Sequence, residues 1–224
     1  MLNKLYHNGA EIKSAFLNGV KVFGVFDAPD VGLAKDYSGT GWYKATDTGT
    51  VFNKDVPNGE THIFPNDPKE YISAYTKEDA KSYANRAATS NVTDMNSIFY
   101  SDTSFNEDIS HWDVSNVTNM TYMFAFTELF NQDISSWNVS NVTSMQGVFY
   151  GATSFNQDIS SWDTSSGIHM SYMFYYATTF NQDLSGWCVP LIEESPYYFN
   201  ENTTNWSLPK PVWGTCPRGE SAPD

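Results

Sequence analysis

Apolar residues along positions 91–190 return at one constant offset of 25 residues, with polar residues fixed between them. The stretch FNEDISHWDVSNVTNM, Phe105–Met120, recurs as FNQDISSWNVSNVTSM from Phe130, FNQDISSWDTSSGIHM from Phe155 and FNQDLSGW from Phe180. Phe99, Phe124, Phe149, Phe174 and Phe199 keep the same beat, as do Trp112, Trp137, Trp162 and Trp187, and Met95, Met120, Met145 and Met170. Self-similarity at a fixed period of tens of residues predicts stacked units, none of which buries its apolar face alone. Within a unit, Val117, Met120 and Phe124 are spaced three then four, the pattern of one face of a short helix. Phe105 and Ile109 bracket a polar middle, short enough for a strand. Trp112 and Val114 line the return, and Ser115-Asn116 makes a corner. The expected fold class is an α/β repeat solenoid of short parallel strands plus short helices, preceded by a small β-rich N-terminal domain. Each period position then becomes a column, with neighbours about 4.8 Å apart, and the Phe, Ile, Trp, Val and Met columns are expected in the core. Gly167-Ile168-His169 stands where the preceding unit has Val142-Thr143-Ser144, so core methyl groups are lost there unless Ile168 turns inward.

Upstream of the repeats the pattern changes. Asn8-Gly9 and Asn18-Gly19 sit between short apolar runs, and Asn-Gly accepts the positive φ of a type I′ turn, which predicts a three-strand meander. Residues 27–41 form a polar, Pro- and Gly-bearing loop, and Pro57-Asn58-Gly59 marks a further hairpin. Val51–Val56, VFNKDV, echoes FNQDI off the 25-residue register and is treated as chance. Thr76 with Asp79 predicts a capping box opening a short helix, with Ala80, Tyr83, Ala84 and Ala87 on one face. The domain organisation expected is a β-rich docking domain at 1–66, a helical N-terminal cap at 67–90, four repeats at 91–190, a C-terminal cap at 191–217 and a tail at 218–224.

Charge sharpens this division. The net charge is -14, and no Lys or Arg occurs from Ala87 to Pro209, a span with thirteen carboxylates, whereas residues 1–86 carry ten basic and eleven acidic residues. A surface of that kind repels phosphate backbones and anionic lipid, so neither nucleic acid nor a membrane is expected as a partner. The start MLNKLYHNGAEIKSAF has no apolar run or cleavage pattern of a secretory signal, and none is expected.

His7, His62, His111 and His169 are scattered, and Cys188 and Cys216 lack the close-spaced partners of a zinc site. No phosphate loop or hydrolase motif is present. Carboxylates recur as columns, whereas a catalytic acid is a singular departure from a pattern, so no enzyme, no catalytic residue and no cofactor is expected. The Asp column, Asp108, Asp133, Asp158 and Asp183, has two readings: turn caps accepting backbone N–H groups, or, as the weaker alternative, a calcium site between neighbours. Cys188 and Cys216 flank a terminal segment that a disulfide could staple, the other reading being two reduced thiols. Asn91, Asn116, Asn119, Asn138, Asn141, Asn202 and Asn205 open N-x-S/T triplets, discounted as by-products of the repeat. The candidate binding surface is aromatic: Tyr100, Tyr122, Phe126, Tyr150, Tyr172, Tyr175 and Tyr176 lie around the expected helix, where Met and Phe already fill the core.

FNQDISSW-type units at a 25-residue period, ending in LSGWCV and then KPVWGTCP, resemble the BspA-like leucine-rich-repeat surface proteins over about residues 90–217. The repeat of that family also occurs in mycoplasma lipoproteins and in viral and phage sequences. The resemblance implies a leucine-rich-repeat-like solenoid used for adhesion or display, without enzymatic activity. Together with the hairpin-rich start and the acidic repeats, it leads to an expected phage virion protein, in a tail fibre, spike or capsid decoration. Such a protein docks on other virion proteins through residues 1–66, in several copies or as a homo-oligomer, and presents its repeats to a host surface glycan or protein. The second reading is a bacterial cell-surface adhesin of the BspA-like type, and the third a cytosolic protein-interaction scaffold.

Overall fold

The computed structural model describes residues 16–17, 20–21, 35–36, 42–44, 50–53, 56–63 and 69–217. The Asn8-Gly9 turn, His7, most of the expected docking domain and the 218–224 tail lie outside them.

Short strands come first. β1 (Phe16–Leu17) pairs antiparallel with β2 (Val20–Lys21), with Leu17 opposite Val20, so the pairing flanks Asn18-Gly19 as expected of that dipeptide. β3 (Lys35–Asp36), β4 (Tyr43–Lys44) and β5 (Val51–Phe52) form an antiparallel sheet in that order. β6 (Thr61–Ile63) pairs antiparallel with β7 (Glu70–Ser73), which pairs parallel with β8 (Ala87–Ala88). Pro57-Asn58-Gly59 does turn the chain, with Gly59 at φ 81° and Glu60 N–H donating to Pro57 O at 3.2 Å. It closes no hairpin, however, because β5 pairs back to β4 and β6 forward to β7. Trp42, Val51, Val56, Tyr71 and Ala88 make a small core of their own.

Between β7 and β8 lies α1 (Lys77–Ser82), opened by the expected capping box: Asp79 N–H donates to Thr76 Oγ1 at 3.2 Å, and Thr76 N–H to Asp79 Oδ2 at 3.3 Å. Ala80, Ala84 and Ala87 join the main core with Met95 and Phe99, while Tyr83 stays exposed. Lys77 Nζ donates to Asn96 O at 2.8 Å, fastening α1 to the first repeat.

The expected α/β repeat solenoid of short parallel strands plus short helices is overturned. Among the described residues α1 is the one α-helix, and the sheet beside it is a small three-stranded mixed one. Residues 91–217 contain neither a helix nor a strand, only turns and three isolated parallel bridges, Asp94 to Asn119, Asn119 to Ser144 and Ser144 to His169. The reason lies in how the backbone is satisfied. Met95, Ser97, Phe99 and Ser101 donate their N–H groups to Asn119, Thr121, Met123 and Ala125 of the next unit at 2.8–3.0 Å. The residues between them close four-residue turns instead: Ile98 N–H to Met95 O, Tyr100 to Ser97, Asp102 to Phe99. A chain of such turns also spaces apolar residues three and four apart, which is why it imitates a helix in sequence. Phe105–Ile109 has no backbone ladder; side chains replace it. Asn131 N–H donates to Asn106 Oδ1, Asn156 to Asn131 and Asn181 to Asn156, all within 2.9 Å.

The periodic apolar residues form one continuous core. Phe99, Phe124, Phe149 and Phe174 stack at 5.5–5.8 Å between ring centroids. Trp112, Trp137, Trp162 and Trp187 each donate the indole N–H to a backbone oxygen, Ala84, Ile109, Ile134 and Ile159 in turn, so each ring is buried with its polar atom paired. Gly167 occupies the valine column and Ile168 stays 47 % exposed; the Met170 methyl fills the gap, 2.6 Å from where a Gly167 Cβ would stand.

Phe199 does not keep its column. Phe124 N–H meets Val148 O and Phe149 N–H meets Met173 O, but Phe174 N–H meets Phe199 O, an offset longer by one residue. Phe199 therefore takes the place of Val148 and Met173, and one extra residue has entered the last unit. Trp206 takes the place of Phe130, Phe155 and Phe180, T-shaped against Phe180 at 4.8 Å where the earlier rings stack at 5.9 Å.

Candidate binding surface

The backbone register creates the aromatic surface. In each unit two turn residues take positive φ: Ser97 and Ser101, Tyr122 and Phe126, Gly147 and Gly151, Tyr172 and Tyr176, and finally Tyr198 and Asn202. Down each column, large and small side chains alternate over the first units. A Cβ built on Gly151 would lie 2.8 Å from Phe126 Cδ1, and one on Gly147 would collide with Tyr122 Cδ1 and Cε1. The rings of Tyr122 and Phe126 thus lie on the glycines of the following unit. Gly147→Ala is expected to cost about 1–3 kcal/mol, since it adds a clash to a left-handed residue. Gly59→Ala, at φ 81° with nothing within 4 Å, meets only the backbone penalty of about 1 kcal/mol. Equal losses for the two in urea titrations would show that Tyr122 does not rest on Gly147.

Every residue expected on this surface is brought to it. Tyr100 lies 6.4 Å from Tyr122 and 5.7 Å from Phe126, Phe126 4.5 Å from Tyr150, and Tyr150 6.3 Å from Tyr172 and 5.1 Å from Tyr175, between ring centroids. Tyr175 continues to Tyr176 at 4.5 Å. Sequence reasoning missed Tyr197 and Tyr198, which extend the strip: Tyr172 is 5.6 Å from the first and 5.4 Å from the second. The signal was the Tyr-Tyr pair itself, concealed by the one-residue insertion that puts Tyr198 in the column of Tyr122 and Tyr172. Tyr100, Tyr176 and Tyr197 are 48 %, 45 % and 62 % exposed. Partial burial of Tyr172 and Tyr175, and at Tyr198 a hydrogen bond with Tyr197 that favours the protonated phenol, raise these three phenols above the ordinary tyrosine range, so they are neutral at physiological pH.

The Asp column lies at a different corner and has a local role. Asp108, Asp133, Asp158 and Asp183 each accept the N–H of the residue two ahead, Ser110, Ser135, Ser160 and Ser185, at 2.9–3.0 Å. Hydrogen bonds from Ser160 and Ser185 hold Asp158 and Asp183 below the usual carboxylate range. At Asp108 partial burial pushes upward, but the Ser110 hydrogen bonds outweigh it. Each carboxylate serves its own turn, and among the described residues no three His, Cys, Asp or Glu side chains gather as a metal site. Asn91, Asn116, Asn141 and Asn205 likewise spend their amide N–H on backbone oxygens of Asn53, Ser90, Ser115 and Thr178.

A family model described as "Mycoplasma protein of unknown function, DUF285" matches residues 70–187 and, in a second alignment, 122–210. The chain belongs to the DUF285 family. No curated protein and no solved structure matches it. The DUF285 match begins at Glu70, about one unit ahead of Ser90, and so takes in β7, α1 and β8 with the repeats. Within the DUF285 region no helix among the described residues is long and apolar enough to cross a membrane.

Two departures from the DUF285 beat are structural. Cys188 stands where Asp113, Asn138 and Asp163 cap their turns, and it is disulfide-bonded to Cys216. His111 stands where the next units have Ser136 and Ser161, and its ring is 5 % exposed, T-shaped against Tyr71 at 5.2 Å. Burial first, then the Lys69 charge, lowers its pKa to about 4; Asp108 and the Ala87 backbone pull the other way without compensating. The unfolded chain, with histidine near 6.5, binds a proton that the folded one refuses, so stability falls as pH drops from 6.5 to about 4 and is level above. The loss is roughly 3 kcal/mol. His111→Leu should flatten that limb of urea midpoint against pH; an unchanged limb would place the acid sensitivity elsewhere.

Proposed function

We propose that this chain is a non-enzymatic display protein that adheres to a cell-surface glycan or protein through the tyrosine strip, in the manner of BspA-like surface proteins. The observation that carries this reading is the strip itself. Nine aromatic side chains, from Tyr100 to Tyr198, run in contact along successive units on positions that the core columns leave free. Tyrosines supply rigid, amphipathic contact area at little entropic cost, which suits them to recognition. The repeat core, by contrast, is consumed by packing and the Asx corners by turn capping.

Two settings suit such a module: the surface of a bacterium, and a phage virion on which residues 1–66 would dock among further copies. Membership of a mycoplasma family supports the first. The test uses labelled full-length protein on intact cells, with Tyr100→Ser, Tyr150→Ser and Tyr197→Ser combined; none of these positions has positive φ, so the backbone tolerates the changes. Retention is expected to fall at least about tenfold, the loss of a few contacts worth about 0.5–1 kcal/mol each. Unchanged retention of a folded triple variant would sink the reading.

A further inference from the structure

The strip is not uniform along its length. At its N-terminal end Lys77 and Lys81 stand close by, the second 3.5 Å from Asp102. At its C-terminal end Tyr172, Tyr175, Tyr176, Tyr197 and Tyr198 are joined by Glu201. Tyr176 N–H donates to Glu201 O at 3.1 Å, and with the one-residue shift Glu201 takes the place that Tyr100, Tyr150 and Tyr175 hold in earlier units. A carboxylate therefore replaces a ring at the end of a tyrosine column. No Lys or Arg occurs between Ala87 and Pro209 to neutralise it.

We infer that this C-terminal cluster of tyrosines beside Glu201 is a receptor for a cationic side chain, arginine or lysine, of a partner protein; the inference rests on the adhesive reading above and names its ligand chemistry. Three properties select that chemistry. Anionic ligands, sulfated or phosphorylated, would meet Glu201 and a run of repeats that carries thirteen carboxylates and no Lys or Arg from Ala87 to Pro209. A broad flat platform for a sugar needs coplanar rings, yet Tyr172 meets Tyr175 and Tyr197 at 77° and 78°, Tyr175 meets Tyr176 at 70°, and Tyr198 is tilted by 33° from Tyr172 and 44° from Tyr175. A cation is drawn to the face of any ring, whatever the tilt between rings, and Glu201 adds an ionic partner. The chain uses the same contact within itself, where Lys210 Nζ lies 5.0 Å from the Trp206 ring centroid. The phenols contribute as neutral rings, since their proton affinities are raised.

Calorimetry of the full chain against nona-arginine and its isosteric, uncharged nona-citrulline counterpart tests this at near-physiological salt. Nona-arginine is expected to bind and nona-citrulline not to. Tyr175→Leu with Tyr197→Leu should weaken binding about tenfold and Glu201→Gln about threefold. Asp133→Asn with Asp158→Asn, which removes more charge at the other corner, should stay within about twofold of the parent. Equal weakening by the Asp pair, with none from the tyrosine pair, would mean diffuse attraction to net charge and would overturn the inference, as would absence of nona-arginine binding. The cell-retention assay separates the two levels. Retention lost in the Tyr100, Tyr150 and Tyr197 variant while nona-arginine is ignored leaves adhesion standing with another ligand; unchanged retention removes adhesion itself.

Discussion

Phe149→Ala is expected to destabilise the chain by about 3–5 kcal/mol, the range for emptying a phenylalanine site in a closed core. Phe149 is fully buried in the middle of the stack. Its ring lies between Phe124 at 5.8 Å and Phe174 at 5.5 Å, with Phe155 at 3.9 Å and Trp162 at 6.2 Å. The surroundings cannot collapse into the space, because Phe149 N–H holds Met173 O at 2.9 Å and the flanking units are fixed by their own ladders. The same change at Trp213, which is only partly buried at the end of the stack, should cost clearly less. Urea unfolding checks both. A loss below about 1.5 kcal/mol at Phe149 would mean that the column is looser than these contacts imply.

Removing the disulfide comes next in size. Cys188→Ser with Cys216→Ser, or reduction of the parent, is expected to cost roughly 3–4 kcal/mol, the chain-entropy value for a closed loop of 28 residues. The bond spans the segment carrying Tyr197, Tyr198, Phe199 and Trp206. That segment is also where the 25-residue beat slips by one residue, and Cys188 at its start replaces the Asp or Asn that caps the corresponding turn in earlier units. Hydrogen exchange should show residues 192–217 opening first on reduction while residues 95–175 keep their protection. An identical unfolding midpoint with and without reductant would show that packing alone holds the last unit.

The periodic core was legible because each column repeats one residue type, and Phe105, Ile109, Trp112, Val114 and Met120 are all buried as the pattern required. The Thr76–Asp79 capping box was legible because it is local. The backbone path was not. Val117, Met120 and Phe124 carry helical spacing, yet each turn spends one N–H locally and the next on the neighbouring unit, a division that no single unit reveals. The parallel pairing of β7 with β8 across α1 and the slip before Phe199 depend on partners from different stretches of the chain. The off-register VFNKDV segment also proved informative. Val51 N–H donates to His111 O at 2.8 Å, and Asn53 O accepts Asn91 Nδ2 as Ser90 O accepts Asn116 Nδ2, so Val51 and Asn53 lie against the first repeat. Of the candidate surface, seven members could be named because aromatic residues exceeded what the core could hold; Tyr197, Tyr198 and Glu201 needed the register.

The central structural claim, on which the strip and its ligand depend, is that units are joined by alternate backbone amides rather than by helices and strands. Amide hydrogen exchange resolved by NMR tests it directly. Tyr122, Phe124, Phe126, Gly147, Phe149 and Gly151, whose N–H groups cross to the next unit, should form the slowest-exchanging set, each correlated through its hydrogen bond with a carbonyl 24 residues ahead. Uniform protection from Val117 to Phe126, with correlations only to carbonyls three or four residues back, would restore a helix there and contradict the account.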